Sequence, residues 1–419
     1  MSHNPRVSIQ TKLTYPNGTS EQNTFDAIYN IKKIETANQT LNYTQDKTGL
    51  ITSKNSTSYS YDDIGRLTQA GGDSFTYDKA GNNLNDNAVY NILNNRLNAS
   101  DIYTITYDSM GNIKTKYNKL TKEKTTYTFN VRNQLTQYVQ QDENNQTIKT
   151  LEFTYDAFGR RVSKTEDGVT QKYLYDGDDI VAILDSSNAV IATITHDESI
   201  DTPLSITNAN GTFYYHRDHQ GSIVALTDSS GQVVESFTYD NHYGTIVDHT
   251  KTIETNNPYA YTGREYDTPE LYYYRARYYD PQIQRFISED PIGFISNDFN
   301  IYRYVSNNPI QFNDPLGLKK KSSKRGRTCS RRTESILQKT VKFNCNKKRK
   351  CTTGLSCEEL KIRRSAATAC VLSRIIINFK CFKGGDLAHR KELLRDQRVR
   401  DNCNKILKEK KCDTCWSIF

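Results

Sequence analysis

The chain has 419 residues, of which 25% are charged and 35% hydrophobic, with a formal net charge of +8 and a mean hydropathy of −0.77. No run approaches the roughly 18 apolar residues that a membrane-spanning helix needs, which excludes a helical membrane protein. Residues 1–10 hold no apolar stretch behind a basic start, so export is expected to use another element or a partner.

The modest net charge is a difference of opposites. Residues 319–419 hold 29 Lys and Arg against 9 Asp and Glu, a net of +20, whereas the first 318 residues carry a net of −12. All nine cysteines and the single tryptophan, Trp416, follow Leu318, and all 29 tyrosines precede it. Two folds therefore share one chain. The expected divisions are 1–40, a segment without clear repeats; 41–240, a repeat region; 241–318, a core; 319–328, a basic linker; and 329–419, a basic cysteine-rich domain.

In chain order, the unit Tyr-Asp-x-x-Gly-[Arg/Asn] occurs at residues 61–66, 77–82, 107–112 and 155–160, with degenerate copies starting at Tyr127, Tyr175, Arg217 and Tyr239. The unit reads as strand, turn, strand. Aromatic and β-branched residues alternate before it, as in Phe75-Thr76-Tyr77, in the manner of a half-buried pleated surface. Asp opens the turn by bonding nearby backbone, and Gly supplies a positive φ. Repeated hairpins predict a long antiparallel sheet that must curl, since twist accumulates and free edges invite aggregation. Low hydrophobicity predicts water on both sides of it, with tyrosine rings packed and hydroxyls wet. The same pattern also fits an ordinary β-solenoid or adhesin stalk.

Three further segments follow the repeats: 259–267 (Tyr-Ala-Tyr-Thr-Gly-Arg-Glu-Tyr-Asp), 271–281 (Leu-Tyr-Tyr-Tyr-Arg-Ala-Arg-Tyr-Tyr-Asp-Pro) and 285–293 (Arg-Phe-Ile-Ser-Glu-Asp-Pro-Ile-Gly). With these, residues 40–318 resemble the Rhs/YD-repeat proteins and their repeat-associated core. The resemblance implies a hollow β-shell that holds a toxin, with a variable carboxy-terminal domain after the core. The fold expected is mainly β, a wound antiparallel sheet of YD-repeat hairpins, followed by a small, mainly α, cysteine-rich domain. The body is short for such a shell, so the sequence reads as the carboxy-terminal piece of a larger protein or one member of a split system.

At the boundary, Asp290-Pro291-Ile292-Gly293 is echoed by Asp314-Pro315-Leu316-Gly317. Alone, Asp-Pro-x-Gly is a turn. If two such turns meet, both carboxylates cannot ionise comfortably, so one keeps a proton while the other activates water, as in aspartic proteases. The Rhs resemblance implies the same outcome: self-cleavage between Leu318 and Lys319 by Asp290 and Asp314 with an assisting arginine. Arg285 is the first candidate for that arginine and Arg303 the second. The structural alternative is a pair of inert turns.

Residues 319–327 have nothing apolar to bury and read as a solvated linker. Residues 357–372, with Ser356 as N-cap, and 386–407 carry helical periodicity. Nine cysteines in this tail are a disulfide density, with Cys357, Cys370, Cys381, Cys403, Cys412 and Cys415 as pairing candidates. The lone Cys-x-x-Cys at 412–415 leaves a zinc site or reduced thiols as alternatives, and the odd count leaves one thiol unpaired. No cofactor or metal is assigned.

In Gly384-Gly385-Asp386-Leu387-Ala388-His389, Asp386 caps a helix that carries the tail's one histidine. An imidazole beside a carboxylate among many cations suits a metal-independent ribonuclease, with His389 moving protons and Asp386 orienting it. The bland reading is a cap and a surface histidine. The Cys-Phe-x-Gly-Gly-Asp-x-x-His arrangement resembles a small helical toxin family found at the ends of Rhs and other polymorphic toxins. That resemblance implies a ribonuclease payload. The expected protein is thus a secreted or surface-borne bacterial toxin delivered into a target cell. Its expected partners are a cognate immunity protein, RNA or another nucleic acid as substrate, and a secretion apparatus or amino-terminal partner encoded elsewhere. Two alternatives stand: a non-enzymatic basic toxin acting on membranes, and a structural cell-surface YD-repeat protein.

Overall fold

Each repeat unit closes a hairpin, and its hydrogen bonds explain its letters. In residues 61–66, Asp62 Oδ1 accepts the N–H groups of Ile64 (3.2 Å) and Arg66 (2.9 Å), and Arg66 Nε donates to Asp62 Oδ2 (2.6 Å). Gly65, at φ +83°, donates its N–H to the Asp62 carbonyl at 2.8 Å, a conformation that a side chain would strain. Where the sixth letter is Asn, its amide serves the same oxygen: Asn82 Nδ2 donates to Asp78 Oδ2 at 2.8 Å, and Asn112 Nδ2 to Asp108 Oδ2 at 2.9 Å. The final Arg or Asn is therefore the donor that completes the aspartate. The leading tyrosine reaches back to an earlier strand. Tyr61 donates to the Ile51 carbonyl (2.7 Å), Tyr77 to that of Leu67 (2.7 Å) and Tyr155 to that of Leu135 (2.6 Å).

The computed structural model describes residues 2–3, 10–27, 29–296, 298–318 and 321–322, all within the first of the chain's two units, Met1–Ser323. The described residues are antiparallel β throughout, apart from short 3-10 turns. A nine-stranded sheet runs from Ser2–His3 to Asp73–Ser74 and a sixteen-stranded sheet from Val89–Tyr90 to Ile246–Lys251, each strand pairing with its neighbours in sequence. A four-stranded sheet follows, made of Glu265–Thr268, Leu271–Tyr274, Arg277–Asp280 and Arg285–Phe286. Among the described residues no helix is long and apolar enough to cross a membrane.

The four-stranded sheet is buried on both faces, so its strands read as continuous aromatic runs rather than alternating ones. Tyr272, Tyr274, Tyr279 and Phe286 join a core that includes Leu41, Tyr43, Ile206, Tyr215 and Tyr243. On the other face, Leu271, Tyr273 and Tyr278 pack with Leu97, Ile105, Leu135, Tyr138 and Leu151. Two cores thus meet across one sheet.

One expectation is corrected here. The body is not wetted on both sides with tyrosine hydroxyls in water: Tyr43, Tyr138, Tyr215 and Tyr272 are essentially buried, and the repeat hydroxyls of Tyr61 and Tyr77 bond backbone carbonyls. Burial pushes the Tyr77 phenol up to about 12. In the weakly matching segment 1–40, Gln10–Thr14, Ser20–Phe25 and Ile31–Glu35 are strands of the first sheet. Their turns keep the chemistry without the Tyr-Asp letters, as where Asn17 Oδ1 accepts the Thr19 N–H at 3.1 Å. The expected helical tail lies outside the described residues.

Asp156 accepts from the N–H groups of Phe158 and Arg160, both at 2.9 Å, and from Arg160 Nε at 2.8 Å. Asp156→Ala is therefore expected to destabilise the body by about 1–2 kcal/mol, the loss typical of a missing cap. Asp156→Asn, which keeps the accepting Oδ1, is expected to lose clearly less, with denaturant midpoints as the measurement.

Candidate active site

The two Asp-Pro-x-Gly segments fold as variants of the repeat turn. The Gly293 N–H donates to the Asp290 carbonyl (2.8 Å) and the Ile292 N–H to Asp290 Oδ1 (3.0 Å). Likewise the Gly317 N–H donates to the Asp314 carbonyl (3.2 Å), and the Leu318 N–H to Asp314 Oδ1 (3.1 Å). One feature differs from the repeats: four residues after each aspartate stand Phe294 and Leu318, which have no side-chain donor. The second oxygens instead face one guanidinium. Arg277 Nη2 lies 3.4 Å from Asp290 Oδ2 and 3.5 Å from Asp314 Oδ2.

Arg277 comes from the strand Arg277–Asp280 and is 4% exposed, with its guanidinium 3.5 Å from the centre of the Phe286 ring. It also donates to the carbonyls of Ile301 (3.0 Å) and Gly317 (2.5 Å). Its neighbours hold the same loop: Arg275 Nη1 donates to the Pro315 carbonyl (2.5 Å) and the Ala276 N–H to the Leu316 carbonyl (3.2 Å). Three consecutive residues thus grip three consecutive carbonyls just before Leu318. The approach is so close that a Cβ on Gly317, at φ +66°, would strike the Tyr274 carbonyl oxygen.

Burial pushes the Asp290 carboxyl above the usual carboxylate range, and Arg277 only partly opposes this. Burial also pushes Arg277 below its ordinary value against the pull of both aspartates. The result is a buried cation serving two carboxylates, one of which tends to keep its proton. Leu318 is half-buried.

Asp290 and Asp314 are thus brought together as the sequence suggested, but the arginine between them is Arg277, not Arg285. Tyr279 pairs with Phe286 and Asp280 with Arg285, and directly paired residues share a face. Arg277 therefore lies on the face of Phe286, and Arg285 on the opposite one. Arg285 Nη2 donates to the Asn95 carbonyl at 2.7 Å, and its guanidinium lies over the rings of Tyr302 (4.9 Å) and Tyr90 (5.2 Å). Arg303, the second candidate, forms a two-point pair with Asp298 at 3.0 and 2.8 Å. The register that pairs Tyr279 with Phe286, and not alternation in the sequence alone, singles out Arg277. Lys319, Asp386, His389 and Cys357, Cys370, Cys381, Cys403, Cys412 and Cys415 lie outside the described residues. Among the described residues no group of three or more His, Cys, Asp or Glu is placed to hold a metal ion.

Arg277→Leu leaves two buried carboxylates with no shared counterion and is expected to cost about 3–5 kcal/mol, read as the shift of the denaturant midpoint.

Residues 8–310 match the family described as Teneurin YD-shell, and residues 325–406 match Novel toxin 16. The tRNA3(Ser)-specific nuclease WapA of Bacillus spizizenii is 30% identical over 249 residues, which cover 57% of this chain and 10% of that protein. The tRNA nuclease WapA of Bacillus subtilis is also 30% identical over 249 residues, with the same coverage. Toxin subunit YenC1 of Yersinia entomophaga is 47% identical over 64 residues, 15% of this chain and 6% of that one. The chain thus spans about a tenth of the length of the WapA relatives. The crystal structure of TcdB2-TccC3 without its hypervariable C-terminal region is similar at a TM-score of 0.50 and 18% identity, covering 74% of this chain and 19% of that one. That likeness concerns the fold alone.

Proposed function

The chain belongs to the teneurin YD-shell family and ends in a Novel toxin 16 domain, and from this premise we propose that it is a polymorphic toxin that cuts itself between Leu318 and Lys319 to free a nuclease. The observation that carries the first half is the shared guanidinium: Arg277 Nη2 holds a carboxylate from each Asp-Pro-x-Gly turn, beside the residue whose peptide bond is to be cut. In this reading Asp314 takes a proton from the attacking water. Asp290, whose carboxyl burial raises, gives a proton to the Leu318 carbonyl oxygen. Collapse of the tetrahedral intermediate returns a proton to the leaving nitrogen, giving a Leu318 carboxyl group and a Lys319 amine. Arg277 keeps both carboxylates in place and balances their charge.

The second half is supported by the relatives, two of which are named as tRNA nucleases, and by the cationic residues 319–419, which suit a phosphate backbone. His389 is the proposed proton carrier and Asp386 its orienting partner. RNA is the favoured substrate, a cognate immunity protein protects the producer, and delivery into a target cell uses a secretion apparatus or partner outside this chain.

Asp290→Asn and Asp314→Asn are each expected to leave a single uncut band on denaturing gels, whereas the wild type splits after Leu318. Two clean cleavages in those variants would dismiss the dyad. Because the raised Asp290 value marks the loss of its proton, the cut fraction is expected to fall as pH rises through that value. Separately, His389→Ala is expected to abolish RNA cleavage by the released domain without altering processing, as followed with labelled RNA.

A further inference from the structure

Among the described residues Lys116 is the one lysine that the fold buries almost completely, at 2% exposure. It stands in Ile113–Asn118, paired with the buried Ile105 on one side and the buried Thr125 on the other. Its Nζ lies 2.5 Å from Asp280 Oδ2 and 3.0 Å from Glu270 Oε2. The aspartate side chain is fully buried and the glutamate nearly so. Aromatic rings close the site: Nζ is 4.9 Å from the Tyr103 ring centre, and the buried Tyr127 hydroxyl has no hydrogen-bond partner. An ammonium between two ionised carboxylates would leave a net negative charge out of reach of water, a costly state.

We propose that Lys116 and Asp280 join through an intramolecular isopeptide bond, with Glu270 as the group that moves the protons. The geometry carries the reaction. Asp280 Oδ1 accepts the N–H groups of Gln282 (2.9 Å) and Ile283 (3.4 Å), which polarise the carboxyl and steady negative charge on that oxygen. With Oδ2 2.5 Å from Nζ, the amine is held against the carboxyl group it is to attack.

Burial raises the Asp280 carboxyl, and the proposed reaction starts from a lysine ammonium, a protonated Asp280 and an ionised Glu270. Passing one proton from Nζ to Glu270 yields a neutral amine and a neutral acid without drawing a proton from solvent. Nζ then bonds to Cγ of Asp280, and the charge moves to Oδ1. Glu270 gives its proton to the departing Oδ2 hydroxyl and takes one from the nitrogen. The C–Oδ2 bond breaks, one water leaves, no electron is gained or lost, and Glu270 ends protonated, as it was before the attack. The enclosing tyrosines restrict water and so oppose the reverse hydrolysis.

Tryptic digestion of the denatured full-length chain, read by mass spectrometry, tests this. The wild type is expected to yield a branched species joining residues 115–119 to residues 278–285, lighter than their sum by one water and uncut after Lys116. Glu270→Gln, which preserves shape while removing the proton carrier, is expected to lose that species and to give the linear peptides instead. A wild-type digest with only linear peptides after prolonged incubation overturns the bond, whether or not any variant folds. A branched species that persists undiminished in Glu270→Gln overturns the role of Glu270.

Discussion

An aspartate that accepts the backbone N–H groups of nearby turn residues is the interaction on which this body is built. It recurs at Asp62, Asp108 and Asp156, and again at Asp218 and Asp228. In all four strict repeats the second oxygen is claimed by an Arg or Asn four residues on, which makes the turn inert. At Asp290 and Asp314 that donor is replaced by Phe294 and Leu318, and the second oxygen turns to a guanidinium from another strand. A structural cap becomes a paired carboxylate through the loss of one local hydrogen bond. The same economy explains why a turn signature and a reactive signature look alike in the sequence.

The charged groups of the core follow one pattern. Arg161 reaches Glu265 and Asp267, Arg264 reaches Asp201, Lys116 reaches Glu270 and Asp280, and Arg277 reaches Asp290 and Asp314. Each of these four cations has two carboxylates as partners, since Arg264 also lies 3.7 Å from Glu265, and three of the four rise toward the four-stranded sheet from elsewhere or sit on it. Buried pairs of this kind add little net stability over well-packed apolar groups, but breaking one is costly. They therefore define how the late sheet docks on the earlier ones more than they strengthen it.

The strands, turns and the pair of aspartates were legible because their causes are local: alternation, a capping carboxylate, a glycine at positive φ. The extent of the first sheet was less so, because residues 10–35 keep turn chemistry in Asn17 and Asp26 while lacking the Tyr-Asp letters. The choice of Arg277 over Arg285 depends on which face of a strand meets the two turns, and a strand of two residues gives too little alternation to decide it. The contact between Lys116 and Asp280 spans 164 residues and leaves no periodic trace. The thick tyrosine core was hidden by an average: low hydropathy counts each phenol as polar, although repeat hydroxyls such as those of Tyr61 and Tyr77 are satisfied by backbone carbonyls.

Strict neighbour-to-neighbour pairing has a consequence for the newborn chain. No strand of the nine- or sixteen-stranded sheet waits for a distant partner, so each hairpin can lock as it emerges from the ribosome. Arg277 and both aspartates belong to the last portion of the body to be translated, and their strand needs surfaces on either side that were laid down earlier. Assembly of the three groups is thereby a checkpoint on completion: the two aspartates meet their shared guanidinium only once the wall they lean on is standing.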